Sequence, residues 1–429
     1  MKLLLKGGRV IDPADGRDEL CDLLIENGVI AAVGQALSDN GVDECIDASG
    51  LVVAPGLVDM HTHMREPGFE AKETIATGTA AAARGGVTSV LAMGNTLPVI
   101  DSPERVADVY ERAERDAVVR LYTVGTASKG MQGKEMTDLE GMLNAGAVAI
   151  SDDGVPLMNA EIMRNALIAL KDTGRAILSH SEDGDLVRVG VMNEGALSRK
   201  LGYKGRPAVA EELLLVRDGM LARDVDGYVH ICHVSTKGSV EYIRQLKAAG
   251  VKITAETCPQ YFTLTEDEVE KQGSMAKVNP PLRQTADVEA IIEGLKDGTL
   301  DCIVTDHAPH TAAEKAREFP KTPSGMVGLE TSLALSLTVL HHRLGWSLSE
   351  ILEKMTVNPA KILQIHAGTL QVGAPADVVL FDPDEEWTVD PEKFASKGRN
   401  TPFAGHTLKG RVRRTIVGGR TVYDAAKEG

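Results

Sequence analysis

Between residues 56 and 365 the chain alternates, eight times over, between a short apolar run and a stretch with helical spacing. The apolar runs fall at 57–63, 87–93, 119–124, 147–151, 176–179, 228–233, 252–257 and 302–305. The helical stretches fall at 73–84, 103–113, 159–171, 208–222, 239–249 and 286–295, with 332–344 and 349–354 closing the series. Eight such units in about 300 residues fit few architectures, and the (β/α)8 barrel of parallel strands is the one they fit best. Both ends of the chain read differently. Residues 1–55 hold short strands, with Glu26-Asn27-Gly28 as a hairpin turn between two of them. The same texture returns at 376–381, 413–417 and 420–423. The expected fold is therefore α/β: a TIM-type barrel over 56–365, with a small β-sandwich domain built from 1–55 plus 366–429.

The residues at the C-terminal ends of barrel strands meet at one mouth. His61 and His63 lie two apart in the first strand and so face the same side. Asn95 follows the second strand, Asp152-Asp153 the fourth, His180 the fifth, His233 the sixth and Asp306 the eighth. A lone His-x-His at a strand end is often an ordinary polar pair. Four imidazoles and carboxylates at one mouth suit two divalent metals with N/O ligands. Two ions at the usual ~3.5–4 Å need a bridge, which a carboxylate supplies. Asp152 and Asp153 are neighbours and point opposite ways, so one of them faces the metals; spacing leaves open which. His230 reads as packed, and His307, His341, His342, His366 and His406 as structural or surface residues.

A net charge of −16 argues against nucleic acid or anionic membrane as a partner. No apolar stretch reaches the 18 residues of a membrane span, and the apolar run after Met1 is too short for a signal peptide. Cys21, Cys45, Cys232, Cys258 and Cys302 are scattered without a C-x-x-C pair, the usage of a reducing, cytoplasmic compartment.

Most of the barrel carries recognisable motifs: Asp59-Met60-His61-Thr62-His63-Met64-Arg65-Glu66-Pro67-Gly68, Ser151-Asp152-Asp153-Gly154, His180-Ser181-Glu182-Asp183, and His230-Ile231-Cys232-His233. They continue with Glu256-Thr257-Cys258-Pro259, Lys277-Val278-Asn279-Pro280-Pro281-Leu282-Arg283 and Thr305-Asp306-His307-Ala308-Pro309-His310. In these the sequence resembles the dihydroorotases of the type I bacterial class, among the metal-dependent cyclic amidohydrolases. The resemblance implies reversible cyclisation of N-carbamoyl-L-aspartate to L-dihydroorotate, the third step of pyrimidine (UMP) biosynthesis. It implies two Zn2+ per subunit: His61, His63 and Asp306 on one, His180 and His233 on the other, with Asp153 and a hydroxide bridging. Asp306 would also carry the catalytic proton. Substrate contacts would come from His63, Arg65, Asn95, Asn279, His310, Ser324 and Gly325, with Arg65 the natural planar partner of a carboxylate.

Two departures from the family pattern stand out: Gly94 where a proline is common, and Ser324 where a phenylalanine is common. Superfamily relatives often bridge their metals with a carboxylated lysine on the fourth strand; here that place holds aspartates, and Lys129 and Lys134 do not fall at the strand end. Another cyclic amidohydrolase, allantoinase- or hydantoinase-like, is the nearest alternative. A non-catalytic homologue serving as structural partner of aspartate transcarbamoylase would typically have lost ligands that this chain keeps. A complex of an active enzyme with that transferase, and a homodimer through the barrel helices, are both compatible with the sequence. Residues 311–327, polar and proline-containing, read either as a lid over the mouth or as an unstructured surface loop.

Overall fold

The computed structural model describes residues 1–427. Eight parallel strands follow one another around the barrel in sequence order: Leu57–Thr62, Val87–Ala92, Arg120–Gly125, Ala149–Ser151, Ile177–Ser179, Val229–Ile231, Ile253–Thr257 and Cys302–Ile303. The first two are buried along their whole length. That is why they read as continuous apolar runs and not as an alternation. The ring closes just past the eighth strand, where His63 N donates to His307 O at 2.9 Å and Thr62 bridges His307. Closure at His307 fixes Asp306 beside His61 and His63.

The helices begin where the sequence offers caps. Thr74 forms a capping box with Thr77 ahead of Ile75–Arg84, Asn159 caps Ala160–Leu170, and Thr236 caps Lys237–Ala248. The stretch expected as one helix over 332–344 is an α-helix, Ser332–Ser336, that runs on into π-type turns at Leu337–Arg343.

The chain ends fold together, as expected, into one mixed sheet of eight strands. Its seam is the antiparallel pair of Val52–Pro55 with Val378–Thr388, in which Ala54 faces Val379. Leu3, Leu5, Leu23, Ile25, Val378, Leu380 and Ile416 form its buried core. The step from sheet to barrel is made at Gly56, where a β-carbon would stand 2.1 Å from Thr88 Oγ1. Only glycine lets the two strands approach so closely.

Two segments differ from what periodicity suggests. Residues 184–206 form an insertion with a two-strand parallel pair, Met192–Asn193 and Gly205–Arg206. Residues 311–327 are not unstructured: Thr311 caps a short helix, Ala312–Lys315, and a 3-10 turn follows at Phe319–Lys321. Among the described residues no helix is long and apolar enough to cross a membrane.

Candidate metal centre

Six side chains converge at the barrel mouth in two sets: His61, His63 and Asp306, and Asp153, His180 and His233. Within each set the donor atoms lie within 4.8 Å of one another. Asp153 joins the sets. Its Oδ2 faces His61 Nε2 at 3.2 Å and His63 Nε2 at 3.4 Å, while its Oδ1 faces His180 Nδ1 at 3.0 Å and His233 Nε2 at 3.2 Å. The neighbouring aspartate turns away: Asp152 Oδ1 accepts from Ala127 N at 2.7 Å and Ser128 N at 3.2 Å. Opposite orientation of adjacent strand-end residues thus leaves Asp153 alone facing the histidines.

The hydrogen bonds behind the ring nitrogens show which of them carry lone pairs. His61 Nδ1 donates to Glu256 at 2.5 Å, leaving Nε2 as a buried acceptor with no hydrogen-bond partner. His63 Nδ1 donates to Asn95 Oδ1 at 2.9 Å, leaving Nε2 to face Asp306 Oδ1 at 3.0 Å. His180 Nε2 faces Glu182 Oε2 at 3.4 Å, so its Nδ1 points into the centre, 2.9 Å from His233 Nε2. Lone pairs set this close repel unless a cation or proton lies between them. The donor set, its orphaned His61 nitrogen and its shared carboxylate therefore fit a pair of divalent ions. Cys232 also comes near His61 and Asp153, and burial pushes its thiol far above the usual range.

Charge at the centre is anchored from behind. Burial would push Glu256 up, yet His61 and His230 draw it down to about 2. Burial likewise opposes, and His180 and Arg206 overcome, at Glu182, also held at about 2. Arg206 Nη1 reaches Glu182 Oε2 at 2.7 Å from within the 184–206 insertion. Carboxylates behind metal-facing histidines fix the tautomer and raise ligand basicity. Sequence reasoning assigned no role to Glu256, Glu182 or Arg206. The signal was there for Glu256, an acidic residue inside a largely buried strand.

The backbone is bent to serve the site. Arg65, His233 and Asp306 take positive φ, at 62°, 36° and 48°. For non-glycine residues this costs on the order of 1 kcal/mol each, a strain that clusters at functional sites.

A cavity of about 220 Å³ opens over the donors and is lined by all of Arg65, Asn95, Asn279, His310, Ser324 and Gly325. Gly154 closes against Asn95, where a β-carbon would stand 2.7 Å from Asn95 Nδ2. Burial lowers the Arg65 guanidinium to about 10, still charged at neutral pH; its Nε donates to Pro309 O at 3.3 Å. Burial and the Arg65 charge push His310 down to about 3, so its ring is neutral. Nε2 of that ring donates to Ser324 O at 2.8 Å, and the buried Nδ1 is left as an acceptor without a hydrogen-bond partner. Ser324 Oγ donates to Asn279 Oδ1 at 3.0 Å. His307 lies outside this set: its Nε2 faces Glu73 at 3.2 Å, in the structural role expected of it.

A sequence model of the family described as "Dihydro-orotase-like" matches residues 50–239. The chain is 49% identical to the dihydroorotase of Geobacter metallireducens over 99% of its own length and 100% of that protein's. It is 51% identical to the dihydroorotase of Pelotomaculum thermopropionicum over 98% of both chains. In shape it matches the dihydropyrimidinase of Brevibacillus agri with a TM-score of 0.88 at 26% identity, over 99% of this chain and 95% of that one. The L-hydantoinase of Arthrobacter aurescens matches with a TM-score of 0.89, also at 26%, over 98% and 96%. Shape alone is shared across cyclic amidohydrolases; the twofold higher identity lies with the dihydroorotases. With a binuclear donor set at its barrel mouth, the chain belongs to the dihydroorotase family of metal-dependent cyclic amidohydrolases.

Proposed function

We propose that this enzyme interconverts N-carbamoyl-L-aspartate and L-dihydroorotate with two zinc ions, residues 56–365 serving as the catalytic barrel and 1–55 with 366–429 as its accessory domain. The observation that carries the reading is a shared carboxylate between two histidine sets, opening on a cavity whose wall holds one half-buried guanidinium. His61, His63 and Asp306 would hold one ion, His180 and His233 the second, and Asp153 both. When bound, such a pair supplies a water activated near neutral pH and polarises the amide carbonyl. Arg65 pairs with the substrate carboxylate through its fork of N–H donors. Asn95 and Asn279 offer amide groups to the ring, and the neutral His310 offers an acceptor to a ring N–H. Asp306 takes a proton from the attacking water and delivers it to the ring nitrogen as the C–N bond breaks. In the synthetic direction the ureido nitrogen attacks the side-chain carboxyl carbon, and the same proton leaves with the departing water.

The unpaired cysteines, four of them buried, support a reducing cytoplasm as its location. The shape likeness to a dihydropyrimidinase and a hydantoinase favours a second reading, an uncharged cyclic amide as substrate. Arg65 speaks for the first, since an uncharged ring would leave its half-buried guanidinium without a substrate carboxylate to pair. The test is loss of L-dihydroorotate absorbance, with metal counted on the same sample. Turnover that disappears with chelator and returns with zinc is expected. Turnover of hydantoin or dihydrouracil in preference to dihydroorotate would overturn the proposal in favour of the second reading.

A further inference from the structure

Ser324 and Gly325 line the cavity, and behind them carbonyls along 319–325 turn onto two buried lysines. Lys277 Nζ donates to Phe319 O at 2.8 Å, Pro320 O at 3.1 Å and Thr322 O at 2.7 Å. Lys315 Nζ donates to Pro323 O at 3.2 Å and Gly325 O at 3.0 Å. Gly325 N returns a bond to Lys277 O at 2.8 Å. Among the described residues neither amine is paired with a carboxylate, although Lys315 is only 2% exposed and Lys277 only 6%.

Burying a lysine without a counterion is costly, and structures keep such a group where it holds something in place. Here each amine gathers carbonyl dipoles that would repel one another without it. Within 322–325 the one carbonyl that neither lysine holds, Ser324 O, faces His310. Ser324 Oγ meets Asn279, two residues along the chain from Lys277. Lys315 in turn is held by the capping box of its own short helix and by the Lys72–Glu314 ion pair at 3.0 Å.

We propose that Lys277 and Lys315 are positioning residues for the substrate site: together they set the main-chain conformation at 322–325 that gives the cavity its Ser324 and Gly325 wall. The proposal rests on the reading of this cavity as the substrate site. Neither amine touches the substrate; both act through the carbonyls they hold.

The test pairs kinetics with amide hydrogen exchange on the full-length, metal-loaded enzyme carrying K277M or K315M. Exchange within 319–325 is expected to quicken at least about tenfold while the barrel strands and the metal content stay as in the wild type. KM is expected to rise on the order of ten- to a hundredfold, with kcat changed far less. In a K315A variant, added propylammonium is expected to bring KM back down, and tetramethylammonium, which has no N–H, is not. Unchanged exchange and KM would overturn the proposal. So would loosened strands and lost metal, which mark a general structural role. Should K315M fail to fold, K315Q keeps two N–H donors and carries the same measurements. If the wild type does not turn over dihydroorotate, the proposed substrate falls, and the exchange pattern still decides the positioning role.

Discussion

The two sides of the cavity are built on opposite plans. At the metal side, side chains from different strand ends point inward and three of the four histidines are held from behind by another side chain: His61 by Glu256, His180 by Glu182, His63 by Asn95. At the other side Ser324 and Gly325 sit on a stretch of main chain, and the side chains that hold that stretch, Lys277 and Lys315, stand behind its carbonyls. One side is specified by which residues it has; the other by the shape in which ordinary residues are held. Substitutions should therefore fail differently. On the metal side they remove chemistry and metal. On the main-chain side they change how well substrate is held.

The sharpest break is at Asp153, the one residue both histidine sets share. D153A is expected to bring metal content below two ions per chain and to lower kcat by on the order of 10³ or more, since one preorganised polarising group alone is worth 10²–10³. Metal analysis and turnover on one sample check both. Full metal occupancy in D153A would mean that the two sets do not depend on a shared carboxylate.

Arg65 lies between the two sides, and its loss should cost substrate affinity and leave the metal. R65M is expected to lower kcat/KM for dihydroorotate by about 10² or more, the cost of leaving a carboxylate unpaired in a buried site. Dihydrouracil, the same ring without a carboxylate, should be affected by less than about threefold, because no ion pair is lost. Equal losses for both rings would assign Arg65 a structural role.

These differences explain what could be read from the sequence. All eight strands stand within a few residues of their apolar runs, because parallel strands buried on both faces keep the signal local. His61, His63, Asp153, His180, His233 and Asp306 were legible because a barrel puts strand ends together whatever lies between them. Glu256, Arg206, Lys277 and Lys315 were not given roles. Arg206 belongs to an insertion without helical or strand period, and Lys277 and Lys315 sit in polar loop sequence where a lysine is ordinarily solvated. Their partners are main-chain atoms or residues distant in sequence, so no spacing announces them. The closure at His307 escaped notice for the same reason, since it is made by a backbone carbonyl.

A smaller effect is expected one layer behind the metal. E256Q leaves His61 in place but removes the anion that fixes its tautomer. Zinc affinity is expected to weaken by about ten- to a hundredfold, with near-normal turnover at saturating zinc. Titration with a competing chelator measures it. Unchanged affinity would show that packing, not Glu256, orients His61.

The smallest expected effect lies on the main-chain side and concerns protons. Burial, reinforced by the charge of Lys277, lowers the Lys315 amine to about 7 from an ordinary value of 10.5. Below about 7 both folded and unfolded chains hold this proton, and above about 10.5 neither does. Between those limits the unfolded chain binds more protons, so stability rises with pH across the window. The sign is opposite to that of a lysine stabilised by a carboxylate, whose contribution is lost as pH climbs. Urea unfolding at pH 6 and 9, on the order of one unit outside and well inside the window, should therefore show the wild type gaining on K315M at the higher pH. Exposed lysines shared by both proteins cancel in that difference. A wild-type advantage that stays the same at the two pH values would mean that Lys315 is held as an ammonium throughout, its charge favoured by the carbonyls it gathers over the burial that opposes it.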